Sequence, residues 1–189
     1  MAYIGLKHLV VAAGAYTDGS APTYTNSATV CKLIEANLSI DRADAKLYAD
    51  DVLVESENGV TGGTITVSVD DLDLDEEVAV IGLVKDGTGT AATYTMTDAD
   101  SPYCGCGFVT KKKVGGVNSW IGYWLYKVQF AIKSDEHQTR GASTDFATQS
   151  LEGNMMGVQL DNTGAQSYYV RKAFTTEADA IAWVDGNGQ

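Results

Sequence analysis

From Thr64 to Asp70 the chain alternates without a break: Ile65, Val67 and Val69 are apolar, while Thr64, Thr66, Ser68 and Asp70 are polar. A period of two gathers the apolar set on one side of an extended strand, and no helix could do the same. Lys32–Ile40 repeats the pattern, with Ile34, Ala36, Leu38 and Ile40 against Glu35, Asn37, Ser39 and Asp41. Trp120–Ile132 is longer and more apolar. Counting residues two apart puts Trp120, Trp124, Tyr126, Val128, Phe130 and Ile132 on one face. Ile121, Tyr123, Leu125, Lys127 and Gln129 fall on the other. A strand that is apolar on one side and half-apolar on the other needs a partner on both. Further strands are expected at Tyr3–Ala12, Lys46–Asp50, Thr93–Thr97, Tyr103–Thr110, Phe146–Leu151 and Ser167–Phe174.

Two stretches read as helices. In Asp73–Leu83, the residues Leu74, Val78 and Ile81 recur at helical spacing behind an acidic first turn, and Asp73 with Glu76 has the form of a capping box. Thr176–Val184 sets Ala178, Ile181 and Ala182 behind a threonine cap and ahead of Gly186. Gly14–Ser27, Gly59–Gly63 and Asp86–Thr90 read as connections. No linker or internal repeat divides the chain. Residues 1–189 are therefore expected to form one mainly β (α+β) domain with two short helices.

Composition narrows the function. With 44% hydrophobic residues among 189, the chain can bury a core without disulfides or metal. Its longest apolar runs fall well short of the roughly 20 residues that span a bilayer, so no membrane insertion is expected. Lys7, the run Leu9–Ala13 and the Ala13-Gly14-Ala15 string imitate a short signal peptide, but a first strand is the better reading. A net charge of −12 argues against a surface that grips phosphate backbones. Three cysteines, two of them at Cys104 and Cys106, suit a reducing compartment better than a disulfide framework.

Charge is unevenly spread. Residues 41–77 hold twelve acids against Arg42 and Lys46, a local −10, whereas residues 101–134 hold five lysines and no acid. Two solvated faces would meet this pattern. So would a surface with a negative and a positive end, suited to self-association head to tail.

Enzymatic constellations are missing. The sequence has no G-x-S-x-G, Walker A, H-E-x-x-H or G-x-G-x-x-G pattern. His137 beside Ser134 and Asp135 is a loop neighbourhood, not a triad, and the adjacent Asp50 and Asp51 would point to opposite faces of an extended chain. Asp71-x-Asp73-x-Asp75 starts like a calcium loop but has Glu76 where glycine belongs and Gly82 where the bidentate glutamate belongs. Cys31, Cys104 and Cys106 match no zinc spacing. Lys111–Lys113 ahead of Val114-Gly115-Gly116 marks a hairpin tip better than a nucleic-acid site. No catalytic residue, metal or cofactor is expected.

Six segments in order carry a resemblance: GLKHL (Gly5–Leu9), LYADD (Leu47–Asp51), GGTITVSVDDL (Gly62–Leu72), PYCGCGF (Pro102–Phe108), WLYKVQF (Trp124–Phe130) and QTRGASTDFATQSLEG (Gln138–Gly153). With them the chain resembles the major tail proteins, or tail tube proteins, of long non-contractile-tailed bacteriophages. The Cys-Gly-Cys inside PYCGCGF departs from that pattern, and the appended immunoglobulin-like domain of some members is not expected.

The resemblance implies two packed β-sheets, as a sandwich or barrel, with a flanking helix. It implies homohexameric rings stacked into a tube through which double-stranded DNA passes without specific binding. Partners would be further copies of itself, a tape measure protein, a tail terminator and distal tail or baseplate proteins. The protein would be made and assembled in the host bacterial cytoplasm and reside in the virion tail. On this reading Glu35, Asn37, Ser39, Asp41, Thr64, Thr66, Ser68 and Asp70 line the lumen. Leu47, Tyr48, Asp50, Asp51, Glu55, Glu57, Lys111, Lys112, Lys113, Tyr123, Lys127 and Arg140 form subunit or ring interfaces. Lys111–Lys113 would approach carboxylates within Asp41–Glu57 of a neighbour, and the second face of Trp120–Ile132 would be covered only by assembly. The rival classes are the tube protein of an injection or secretion machine, a β-sandwich carbohydrate-binding module and a β-rich hydrolase.

Overall fold

A computed structural model describes the chain apart from residues 1, 31, 50, 51, 71, 135–147, 162 and 189. In chain order the strands begin with β1 (Ala2–Ala15), β2 (Thr23–Val30), β3 (Leu33–Arg42), β4 (Ala45–Ala49), β5 (Val52–Glu57) and β6 (Val60–Val69). After helix α1 (Leu74–Ile81) come β7 (Val84–Asp86), β8 (Thr93–Thr95), β9 (Tyr103–Val114) and β10 (Val117–Ser134). The chain closes with β11 (Gln149–Met155), β12 (Val158–Gln159), β13 (Gln166–Ser167), β14 (Tyr169–Phe174) and α2 (Glu177–Asn187).

One antiparallel sheet dominates, in the order β2-β1-β9-β10-β11-β6-β3, with β14 beside β10. Strand β10 is its spine. Along one edge it pairs with β9, and along the other first with β14 (Trp120–Leu125) and then with β11 (Val128–Ser134). The sheet folds over itself. Inward side chains from β1, β9, β10, β11 and β6, among them Leu9, Cys106, Phe130, Leu151 and Val67, meet in one core that α1 covers with Val80 and Ile81. On the opposite face of β1, β9 and β10 a second core holds Val10, Val109 and Trp124, sealed by Ala180 and Val184 of α2. The fold is thus mainly β, a curled antiparallel sheet of sandwich form with two short helices, as the alternation requires.

A β-bulge changes the parity of β10. Leu125 pairs with Cys106 and Val128 with Cys104, so β10 carries one residue more than β9 across this step. Trp124 and Tyr126 face the α2 core, but Val128 and Phe130 face the other. The single face expected for Trp120–Ile132 is therefore split in two. On its second side Leu125 is already buried within this one chain, whereas Ile121, Tyr123, Lys127 and Gln129 stay partly exposed. A similar bulge between Leu33 and Glu35 makes Ile34 the extra residue on β3. Leu33, Ala36, Leu38 and Ile40 pack on the core, and Ile34, expected inside, is 53% exposed.

Both helices form where expected, and of their expected faces Ile81 is buried and Ile181 packs on the second core, while the rest of each inward face differs. Glu76 accepts the Asp73 backbone N–H at 3.1 Å, and Gly82, at φ 81°, ends α1 in the left-handed region. The face it buries is Glu77, Val80 and Ile81, whereas Leu74 is exposed because it sits at the first helical position, beyond the core edge. Thr176 Oγ1 accepts the Asp179 N–H at 3.2 Å to cap α2, which runs through Gly186 to Asn187. Ala180 and Val184 are buried, while Ala178 and Ala182 face solvent. Two expected connections contain strand: Thr23–Val30 pairs with β1, and β6 already begins at Val60. Thr23–Thr29 lacks an apolar alternation, and of its described side chains, those of residues 23–25, only Tyr24 is buried.

The Cys-Gly-Cys-Gly run in β9 has a packing cause. Cys104 and Cys106 point into the first core, and Gly105 and Gly107 face the indole of Trp124. A Cβ at Gly107 would stand 2.5 Å from Trp124 Cε3 and 2.7 Å from Val184 Cγ1. Only glycine lets the indole and α2 lie this close to the strand.

Candidate functional site

The polar residues of β3 and β6 form one surface. Register places Glu35 opposite Ser68, Asn37 opposite Thr66, Ser39 opposite Thr64 and Asp41 opposite Gly62. Directly opposed residues of an antiparallel pair share a face. Ile65, Val67 and Val69, with no exposed surface, take the inner side of β6 and leave Thr64, Thr66 and Ser68 outward. Asp70 closes one end, where its Oδ1 accepts the Lys32 backbone N–H at 2.8 Å and its Oδ2 lies 3.7 Å from Lys32 Nζ.

Strand β11 extends this surface, which the sequence reading missed. Ser150, Glu152 and Asn154 stand opposite Ser68, Thr66 and Thr64. Three rows result: Glu35–Ser68–Ser150, Asn37–Thr66–Glu152 and Ser39–Thr64–Asn154. They contain hydroxyls, carboxamides and carboxylates, and neither lysine nor arginine. The signal was present as the alternation of Ser150, Glu152 and Asn154 with Leu151, Gly153 and Met155. Chemically, such rows offer hydrogen bonds and a weak negative potential but no cation for a phosphate.

The residues expected at interfaces do not form one patch. Lys111–Lys113 lie in the paired end of the β9–β10 hairpin, whose turn is made by Gly115 and Gly116 at φ 57° and 87°. Alternation sends Lys111 over the Trp120 ring at 5.1 Å and Lys112 over the Tyr3 ring at 6.0 Å, with Lys113 exposed. Lys127 Nζ is 4.2 Å from the Tyr103 ring centre and 4.9 Å from that of Tyr16. Tyr123 stacks on Phe108 at 4.9 Å. These two side chains are engaged within the chain.

Leu47, Tyr48, Glu55 and Glu57 belong to the β4–β5 hairpin, an arm that continues β3 and β6 beyond the Arg42–Val60 pair. Asp50, Asp51 and Arg140 lie outside the described residues, as do Cys31, His137 and Asp71.

Among the described residues, several other chemistry-bearing groups have structural roles. Asp75 accepts hydrogen bonds from Lys85 Nζ (2.6 Å) and Tyr94 Oη (2.8 Å), which hold its carboxyl below the usual range. Asp73 caps a helix. Cys104 Sγ donates to the Val128 carbonyl at 3.3 Å, and burial pushes its thiol up to about 12 and that of Cys106 well above its ordinary value. Among the described residues no group of three His, Cys, Asp or Glu side chains could hold a metal ion.

Besides the polar rows, the described surface has a cleft of about 610 Å³ between β1 and β3. A comparison with family models returned no match, and one with curated proteins returned none either.

Proposed function

We propose that the protein is the structural subunit of a hollow tube, in which copies close into rings, rings stack, and the polar rows of β3, β6 and β11 line the bore. Its resemblance to phage major tail proteins makes the tube a tail tube, the rings hexameric and double-stranded DNA the cargo. The partners on this reading are further copies, a tape measure protein, a tail terminator and distal tail proteins.

The observation that carries the proposal is the make-up of the three rows. A duplex that must slide needs a wall with nothing to hold its phosphates. Small hydroxyl and amide side chains with scattered carboxylates make such a wall, and like charge keeps the duplex centred. The sheet order adds support. Among the described residues β3 and β2 end the sheet without a further neighbour, and joining copies edge to edge would remove both free edges.

Negative-stain electron microscopy of the purified chain at low and high salt, with light scattering on the same samples, tests the proposal. Rings or uniform hollow tubes support it. Monomers at every salt and concentration count against it and favour a soluble β-sandwich binding module, the reading to which an open cleft lined by Phe108, Tyr123 and Tyr169 would otherwise belong.

A further inference from the structure

The end of the sheet where β1 begins and the β9–β10 hairpin turns is a cationic pole on an acidic protein. Register brings together there residues 2–7 of β1, 109–114 of β9, 117–123 of β10 and 171–174 of β14. These segments carry Lys7, Lys111, Lys112, Lys113, Arg171 and Lys172 and no Asp or Glu, although the whole chain stands at −12. Two acids of other elements lie beside them: Glu177 bridges Lys7 at 2.9 Å, and Glu35 lines the cleft with Arg171. Among the described residues Lys111, Lys112, Lys113 and Lys172 form no ion pair. Lys111, Lys112 and Lys172 rest instead over the rings of Trp120, Tyr3 and Phe174, at 5.1, 6.0 and 5.4 Å. The same end exposes apolar surface. Val117 is 71% exposed beside the two turn glycines, and Tyr3 and Ile4 are each more than half exposed. Ile4 is the extra residue of a bulge between the pairs Tyr3–Lys112 and Gly5–Lys111.

We propose that this pole is a peripheral contact for an anionic lipid bilayer, with the hairpin tip seated among the headgroups. The proposal stands apart from the tube reading and needs only a free subunit. Charge selects an anionic partner, because lysines close to such a surface each strengthen the attraction. At 0.1 M salt exposed charges act over only about 10 Å, so the pole answers to its own lysines rather than to the net charge of the chain. The exposed apolar groups select lipid among anionic partners. Val117, Ile4 and Tyr3 gain by entering the boundary between headgroups and acyl chains, whereas a phosphate backbone or an acidic peptide would leave them in water. A single-stranded nucleic acid would also need rings free for stacking, and those of Trp120, Tyr3 and Phe174 are capped by lysines. At a bilayer the same pairs fit, with the ring in the interface and the ammonium among the headgroups. Lys111 and Lys172 share the α2 face of the sheet with Trp120, while Lys112 and Arg171 lie on the cleft face. Cations therefore flank the tip on both sides, which suits an end-on approach.

Sedimentation of the full chain with vesicles tests this. One set is phosphatidylcholine alone, and the other is two parts phosphatidylcholine to one part phosphatidylglycerol. The proposal expects binding to the anionic set, weakening as salt rises, and little to the neutral set. Lys113→Gln and Lys172→Gln, both at exposed positions, should each lower the partition about fivefold, whereas Lys32→Gln, outside the pole, should change it by less than about twofold. On a Cys31→Ser background, with Cys104 and Cys106 buried, a polarity-sensitive fluorophore on Val117→Cys should shift to the blue with anionic vesicles. The same label on the exposed Asp161→Cys should not. No binding to anionic vesicles overturns the proposal, as does equal binding to both sets or binding without the blue shift at position 117. Polyglutamate or a short DNA duplex bound as tightly as the anionic vesicles overturns the choice of lipid. The native chain and the Val117→Cys label decide the matter even where a lysine variant fails to fold.

Discussion

Trp124 and Leu125 are adjacent in sequence and neither has exposed surface, yet they are buried in different cores. The bulge that follows breaks the ladder, and its backbone groups are satisfied in other ways. The Tyr126 N–H donates to the Tyr168 carbonyl at 3.1 Å, and the Lys127 carbonyl accepts the Met156 N–H at 2.9 Å. The Tyr126 carbonyl accepts two phenol hydroxyls, from Tyr24 at 2.7 Å and Tyr16 at 2.9 Å.

A non-additive mutational effect is expected here. Tyr24→Phe or Tyr16→Phe alone leaves the Tyr126 carbonyl one donor and should cost about 0.5–1.5 kcal/mol. The double variant orphans the carbonyl and should cost more than the sum of the two, by about 1 kcal/mol. Urea unfolding of the four proteins of the cycle reads this directly. Additive losses would mean that the two hydroxyls act independently.

Gly107→Ala should destabilise by about 1–3 kcal/mol, because the new methyl meets an indole and an isopropyl group that are both fixed by packing. Gly59→Ala, at a position with nothing within 4 Å, is the control and should change little. Thermal unfolding of the two variants separates the cases.

Alkaline pH should weaken the fold. Burial raises the ionisation of Cys104 to about 12 and lifts Cys106, Tyr16 and Tyr24 well above their ordinary values of 9.0 and 10.0. Above those ordinary values the unfolded chain has lost protons that the folded chain still holds, so stability falls as pH rises. The urea midpoint should be flat with respect to these four groups up to about pH 8 and decline from about pH 9 upward. In the same range Cys104 and Cys106 should react with a thiol reagent only as fast as the protein opens, since neither is exposed as a thiolate.

How much of this was legible in the sequence differs from strand to strand. The inward set of β6 was fully legible because Ile65, Val67 and Val69 alternate with no bulge between them. Parity failed at Ile34 and beyond Leu125, where one extra residue reverses the faces and no residue type announces the insertion. Helix positions could be read from Asp73 and Thr176, yet the buried faces only in part: Ile81 and Ile181 turn inward as their spacing requires, while the sheet decides which of the smaller apolar residues are covered. The polar rows were half legible. Their third strand belongs to a distant segment, and only the register of Thr66 with Glu152 brings it alongside.

Adding cations to the rows should convert an indifferent surface into one that holds DNA. The triple variant Asn37→Lys, Thr64→Lys, Thr66→Lys changes only outward side chains and should fold normally. The native protein should show no retention of a short duplex. The variant should bind it, with log affinity falling against log salt at a slope of about −2 to −3. Equal behaviour of the two proteins would mean that the rows do not set the response to DNA.

The most direct test of the tube account is size-selective labelling of Thr66→Cys on the Cys31→Ser background, before and after assembly. As a free subunit the thiol should react with both a small maleimide and one carrying a long polymer. In assembled particles it should still react with the small reagent along the bore, but the polymer reagent should be excluded except at the ends. Equal reaction with both reagents after assembly would place Thr66 on the outside and contradict the account.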